Sequence, residues 1–372
     1  MKIIGLWMGL TACLMFPGFA HADTPQQDAL QTVIEQIYQQ RAEALLLDAP
    51  ERIQSQYMKN EKISQYAYKH EVKRSEYIHA WAEKRNVQFV EIKSDINIQR
   101  MKVGKNSAKV SLSQSMKLTY AYPQHLGSEH SFGIGTRHTL ALEKVDGQWR
   151  IRKEWYLDPL EEDPKQIPLW VKLKEQLTIE AGESETKPSE KKHVRYDRAK
   201  AVQYADKYAG LAWGAGNNHK YNGKYNDYTG QGGDCTNFSS QVLGDPKEGG
   251  GLGMTGYWRY RPGYGGSEAW VRTDSLKNFL IGRGYARVVA RGTYGQVSKT
   301  SAKFPQGAFA QMKPGDLVAY EIHGDIDHFS VLTGFDPQGY PLVNSHTADR
   351  YRVPWDLGWD KSTVFWLIHV KD

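Results

Sequence analysis

The stretch YTGQGGDCTNFSSQ, residues 228–241, holds Cys235, the one cysteine of the chain besides Cys13. Chains that use cysteine for stability in oxidising compartments carry it in pairs. A lone thiol is therefore either a small buried hydrophobe or a group kept for its reactivity. The residues around it favour reactivity. Gly232 and Gly233 leave room for a backbone or a substrate to approach, and Asp234 can cap a helix that begins at Cys235 and continues through Phe238 and Val242. That predicts the thiol in the first helical turn. An unperturbed thiol, with a pKa of ~8.5, is only a few per cent ionised at neutral pH. A helix N-terminus contributes only ~0.3–1 kcal/mol. A nucleophile at Cys235 therefore calls for an imidazole from elsewhere in the chain.

The segment MKPGDLVAYEIHGDIDHFSVLTGFDPQGYPLVNSHT, residues 312–347, can supply it. Its pattern predicts a strand from Leu317 to Ile322, a second opening at His328 in HFSVLTG, and a third in PLVNSHT. Asn344 and His346 are two apart, so both point to one face of the third strand. A cysteine on a helix, a histidine on a strand and a polar orienter on the next strand is what a thiol and an imidazole need for base and acid transfer. Gln231 and Tyr228 are candidates to help the Cys235 backbone amide hold an oxyanion. Tyr257, Trp258, Tyr260, Tyr264 and Trp270 could line a groove for sugar or peptide, with packing around irregular backbone as the alternative. His323, Asp325 and Asp327 lack a full ligand set, so no metal is expected. The glycine-rich GDPKEGGGLGMTG has no Lys-Ser or Lys-Thr ending and is no phosphate loop; it reads as a mobile cleft edge or an ordinary surface loop.

In order along the chain, YDRAKAVQYADKYA, GGDCTNFSSQ, GYWRY, SEAW, PGDLVAY, DHFSVLTG and NSHT resemble the bacterial "Putative amidase domain" family, a branch of the papain-like, NlpC/P60-type cysteine hydrolases. The resemblance spans residues 196–372. It implies Cys235 as nucleophile, His328 as base and a third member at His346, with Asn344 open as the alternative. It further implies hydrolysis of an amide bond through a thioester without a cofactor, and peptidoglycan or a peptide as substrate. An acyl transferase on the same pair, or a wall-binding module that has lost the chemistry, are the alternatives.

Those residues require an α+β domain in which the nucleophile helix packs on an antiparallel sheet. The rest of the chain reads as a signal peptide at 1–22, a smaller α+β domain at 23–160, a linker at 161–195 rich in Pro, Glu, Lys and Ser, and the catalytic domain at 196–372. Lys2, an apolar run and AHA at 20–22 predict export with cleavage after Ala22. LTAC, residues 10–13, offers a lipoprotein alternative at Cys13. Helical spacing through Leu30, Val33, Ile34 and Ile37 gives way after Asn86 to alternation, and Asp146-Gly147 signals a hairpin. His79, His125, His130 and His138 show no ligand spacing and read as surface or strand residues. With 372 residues, 40% hydrophobic, and a net charge of +6, two folded domains are expected. The charge is dispersed and no nucleic-acid motif is present, which excludes that class of partner. No later stretch is long and apolar enough to span a bilayer. Oligomeric state is not readable from these patterns.

Overall fold

The computed structural model describes residues 25–125, 127–160, 163–169 and 196–372. The expected signal peptide, Cys13 and most of the expected linker lie outside the described residues. In the N-terminal half, α1 (Pro25–Leu46) and α2 (Lys62–Arg85) precede four long antiparallel strands, β1 (Gln88–Val103), β2 (Ser107–Ala121), β3 (Glu129–Val145) and β4 (Gln148–Tyr156). The β3–β4 hairpin turns at Asp146 and Gly147 with φ of 51° and 80°, the left-handed pair that fits the twist of the flanking strands. Leu30, Ile34 and Ile37 of α1 pack on Val110, Leu112, Leu140 and Leu142 of the sheet.

The C-terminal half carries α3 (Arg198–Lys207), α4 (Cys235–Gly244), a two-residue ribbon of β5 (Tyr260–Arg261) and β6 (Gly265–Gly266), then α5 (Glu268–Val271) and α6 (Thr273–Gly282). Five further strands, β7 (Ala286–Thr293), β8 (Leu317–Ile322), β9 (Asp325–Phe335), β10 (Pro341–Ser345) and β11 (Asp349–Pro354), are joined by α7 (Tyr294–Ser298) and closed by β12 (Val364–Val370). The expected α+β class holds. Side chains alternate across these strands. Leu317, Ala319, Phe329 and Val331 face Ala201 of α3, Phe238 and Val242 of α4, and Leu276 of α6. Val318, Tyr320, Leu332 and Val343 face the other way, into a core shared with Tyr77, Ile78 and Trp81 of α2 and Phe132 and Ile134 of β3.

The two halves, expected to bury separate cores, thus share one. They also share a sheet: β11 pairs with β3 through Asp349–Gly135, Arg350–Ile134 and Tyr351–Gly133, which makes one ten-stranded surface. Gly133 and Gly135 are required at this seam. A Cβ on the first would lie 2.0 Å from the Trp213 carbonyl oxygen and on the second 2.5 Å from Leu211 Cβ, closer than any packed carbon atom tolerates. A buried ion pair between Arg85 and Asp356 crosses the seam, and Trp81 Nε1 donates to the same carboxylate at 3.2 Å. Among the described residues no helix is long and apolar enough to cross a membrane.

Candidate active site

Cys235 is the first residue of α4, as its sequence context predicts, and is 6% exposed. The loop before it needs its glycines. Gly232 and Gly233 adopt φ of 105° and 122°, a region open to glycine and strained for other residues. A Cβ on Gly233 would meet Thr347 Oγ1 at 3.1 Å. Asp234 precedes the helix but its carboxylate does not cap it. It accepts instead from the Tyr228 backbone N–H and the Asn237 amide, both at 2.9 Å, and from His346 Nδ1 at 2.6 Å, while its own N–H donates to Thr347 Oγ1. Asp234 is therefore an anchor for the loop that presents the nucleophile.

The Cys235 sulfur is 3.8 Å from Thr236 Oγ1 and lies near the backbone N–H of Phe329 on β9, close enough for that group to favour the thiolate. His328 is the residue before Phe329, so the candidate base comes from the strand that passes beside the nucleophile. No hydrogen bond joins their side chains. His328 lies opposite Tyr320 of β8 in register, its ring 5.5 Å from that of Trp359, and its Nε2 is buried without a partner. Burial, then the Arg350 charge, then that of His346, hold the imidazole down to about 3. Burial is also the largest influence on Cys235 and raises its thiol; the Phe329 N–H pulls the other way. The resting pair is thus neutral thiol and neutral imidazole, because neither charge is solvated here.

Neither sequence candidate for the third member hydrogen-bonds to His328. Asn344 donates to Asp206 Oδ1 of α3 at 2.9 Å and its oxygen accepts from Arg352 N at 2.6 Å. His346 places Nδ1 on Asp234 and Nε2 on the Tyr208 carbonyl, each at 2.6 Å, and stacks between Tyr221 and Phe238 at centroid distances of 3.7 and 4.0 Å. The shared face expected for Asn344 and His346 is present, but it is the face toward α3 and α4. His328 projects with Tyr320 to the other. Both ring nitrogens of His346 are thus engaged, one by a carboxylate and one by a backbone carbonyl.

Trp258 and Trp270 do not line a groove. Both are 0% exposed, with indole N–H groups donating to Ser240 Oγ at 3.0 Å and Asn237 Oδ1 at 2.9 Å, and they form the bed of α4. Tyr257 and Tyr264 reach solvent, at 70% and 90% exposure, and Tyr260 is half-buried, its hydroxyl accepting from Asn226 N at 2.8 Å. Tyr228 is committed to the ribbon, its hydroxyl accepting from Gly266 N at 3.1 Å. Gln231 is exposed on the nucleophile loop. The glycine-rich stretch after α4 begins as packed structure, since Gly250 donates to the Val242 carbonyl and a Cβ there would fall 2.0 Å from the Tyr196 ring. His138, expected at the surface or on a strand, is on β3 but buried, bonded to Glu154 and Thr136. Among the described residues no group of three His, Cys, Asp or Glu could hold a metal ion.

Sequence reasoning passed over Arg350, Trp359, Tyr221 and Asp349. Arg350 and Ser345 are direct partners across β10 and β11, so the alternation that groups Asn344 with His346 could also have grouped His328, Ser330 and Ser345 on the opposite face.

Residues 195–368 match the family described as "Putative amidase domain". The match takes in Cys235, His328 and His346 and supports an amide hydrolase activity in general. No curated protein matches the chain. Solved structures similar to part of it include a "Putative Scytalone Dehydratase" from Novosphingobium aromaticivorans, 16% identical over 36% of this chain and 87% of that one, with a TM-score of 0.26. An "NTF-2 like protein of unknown function" from Shewanella oneidensis is 19% identical over 36% and 100%, at 0.21. A "Putative calcium/calmodulin dependent protein kinase II association domain" from Xanthomonas campestris is 18% identical over 40% and 95%, at 0.22.

Proposed function

We propose that the chain is an exported cysteine amidase or peptidase of the papain-like, NlpC/P60 type that hydrolyses amide bonds of peptidoglycan. The observation that carries this reading is Cys235 in the first turn of a buried helix, its sulfur near the Phe329 N–H, with a buried histidine that has a free ring nitrogen as the preceding residue on that strand, inside the amidase-matched segment.

The neutral resting pair shapes the mechanism. As Cys235 Sγ attacks the carbonyl carbon, His328 takes the thiol proton, so charge appears only when the carbonyl oxygen has become an anion. Backbone N–H groups at the start of α4 receive that anion, with Gln231 at the rim. The intermediate collapses, the C–N bond breaks, and the leaving amine departs with the proton held by His328. Water then attacks the thioester, giving its proton to His328, which returns it to the sulfur. Asp234 and His346 hold the nucleophile loop and exchange no proton with substrate. No cofactor enters any step.

The test is incubation of the chain with digested peptidoglycan, with mass spectrometry for new amine and carboxylate ends, alongside Cys235→Ala. Cleavage by the parent protein and none by a folded variant is the expected result. Products that carry hydroxylamine in place of water, when it is added, would move the reading to acyl transfer. Binding of wall fragments by both proteins with no cleavage by either would leave a binding module.

A further inference from the structure

Behind the sheet, on the face away from α4, the strands assemble a row of polar side chains of which the proposed chemistry uses only His328. Tyr320 of β8 lies opposite His328 of β9, and Val318 opposite Ser330. The pairing of Asn344 with Val331 sets Ser345 of β10 beside Ser330, and Ser345 pairs with Arg350 of β11. Trp359 covers the row. It stacks on Tyr320 at 4.0 Å, and the Arg350 guanidinium carbon is 5.8 Å from its ring centre.

Four buried atoms of this row have no hydrogen-bond partner, His328 Nε2, Ser345 Oγ, Arg350 Nε and Trp359 Nε1, and Ser330 Oγ has at most a loose contact with the Tyr320 hydroxyl. Ser330, Ser345 and Arg350 are 1%, 0% and 4% exposed. Buried polar groups are nearly always bonded, and an unmatched buried charge is more costly still. Arg350 donates to the Leu357 carbonyl and forms no ion pair among the described residues. The nearest acids are engaged elsewhere, Asp356 with Arg85, Trp81 and Tyr340, and Asp158 with Arg74 and His70. The composition of the row is one-sided. Arginine Nε and indole nitrogen can only donate, and the hydroxyls and imidazole can donate. A cation finds no carboxylate there, whereas an anion finds donors and a charge.

We propose that His328, Ser330, Ser345, Arg350 and Trp359 form a binding site for a small monoanion, either a free ion or a carboxylate group of the substrate. A halide or carboxylate would accept from Arg350 Nε, Trp359 Nε1 and the two hydroxyls and would cancel the charge that now opposes protonation of His328. With that charge cancelled, the imidazole can hold the proton it must pass to the leaving amine. The site does not depend on which reaction Cys235 performs, so its test reads binding rather than turnover.

The test titrates sodium bromide, and separately sodium formate, into the full exported chain at fixed ionic strength and follows thermal unfolding, beside Arg350→Met. A saturable rise in Tm in the parent that is absent from the variant is expected. If Arg350→Met fails to fold, Trp359→Phe and Ser345→Ala each remove one donor, and each should raise the half-saturating concentration several-fold. Saturation by both anions identifies a free-ion site, and saturation by formate alone a carboxylate site offered to substrate. The same Tm response in all variants, or none in the parent, overturns the proposal and leaves the five groups to internal water.

Discussion

Two buried imidazoles, one on β9 and one just past the end of β10, differ in every respect that decides reactivity. His346, on the face toward α4, is fully engaged: both ring nitrogens are bonded at 2.6 Å and both ring faces are stacked. His328, on the face toward the N-terminal half, is equally enclosed but leaves Nε2 without a partner. A ring whose nitrogens are both engaged is a strut. A ring with one nitrogen unclaimed, next to the residue whose N–H lies near the Cys235 sulfur, is the one equipped to move a proton.

Removing each ring separates the two roles. His346→Ala leaves the Asp234 carboxylate buried at 1% exposure without its imidazole partner, a loss of ~3–5 kcal/mol by the usual cost of breaking a buried pair. His328→Ala breaks no hydrogen bond at Nε2, so its stability should change far less, while kcat/KM for amide cleavage falls by ~10²–10⁴ if the ring is general base and acid. Chemical denaturation and turnover on the same two variants check this. Equal destabilisation by both, or unchanged turnover in His328→Ala, would erase the contrast.

A smaller effect is expected in the acid limb of stability. The unfolded His328 binds a proton near 6.5, the folded one only near 3, so between those values the unfolded state carries the extra proton. Stability is therefore lost as pH falls through that window, by up to ~1.4 kcal/mol per unit. His130 and His138, also lowered chiefly by burial, add to the same slope, so the informative quantity is the difference between the parent and His328→Gln. The variant should lose less stability between pH 6.5 and 4. Parallel curves would mean that His328 charges in the folded state as easily as in water.

How far this contrast was legible in the sequence follows from the range of each signal. Local patterns placed Cys235 at a helix start, Leu317 to Ile322 as a strand and the Asp146-Gly147 turn, because helix and strand periods and turn residues act over a few positions. Alternation put Asn344 and His346 on one face, yet which face depends on the bonding of β11 to β3, residues more than two hundred apart. Asp234 looked like a cap because capping is the local option; its histidine partner arrives only with β10. Trp258 and Trp270 looked like groove residues for the same reason, since nothing local reveals that Ser240 and Asn237 meet their indoles. The further core that the two halves share could not be read from composition, which counts apolar residues without saying what they cover.

The mildest perturbation asks whether the N-terminal half reaches the strut. Arg137 of β3 donates to Asp349 Oδ2 and to the Tyr221 hydroxyl, each at 3.2 Å. The Tyr221 hydroxyl donates to Asp349 Oδ1, and its ring is stacked on His346. A continuous set of contacts thus runs from the N-terminal strand through Asp349 and Tyr221 to His346, Asp234 and the nucleophile loop. Arg137 is 37% exposed, so solvent screens its pair with Asp349 and the expected cost of Arg137→Gln is ~0.2–1 kcal/mol. Asp349 still receives the Leu211 N–H at 2.9 Å and the Tyr221 hydroxyl, so the fold should stand. If the strut is what positions Cys235, the variant lowers kcat with KM unchanged, and its alkylation rate at constant pH shifts in step. A change confined to Tm would mean that Arg137 secures the seam between the halves and that the nucleophile loop is held by His346 and Asp234 alone.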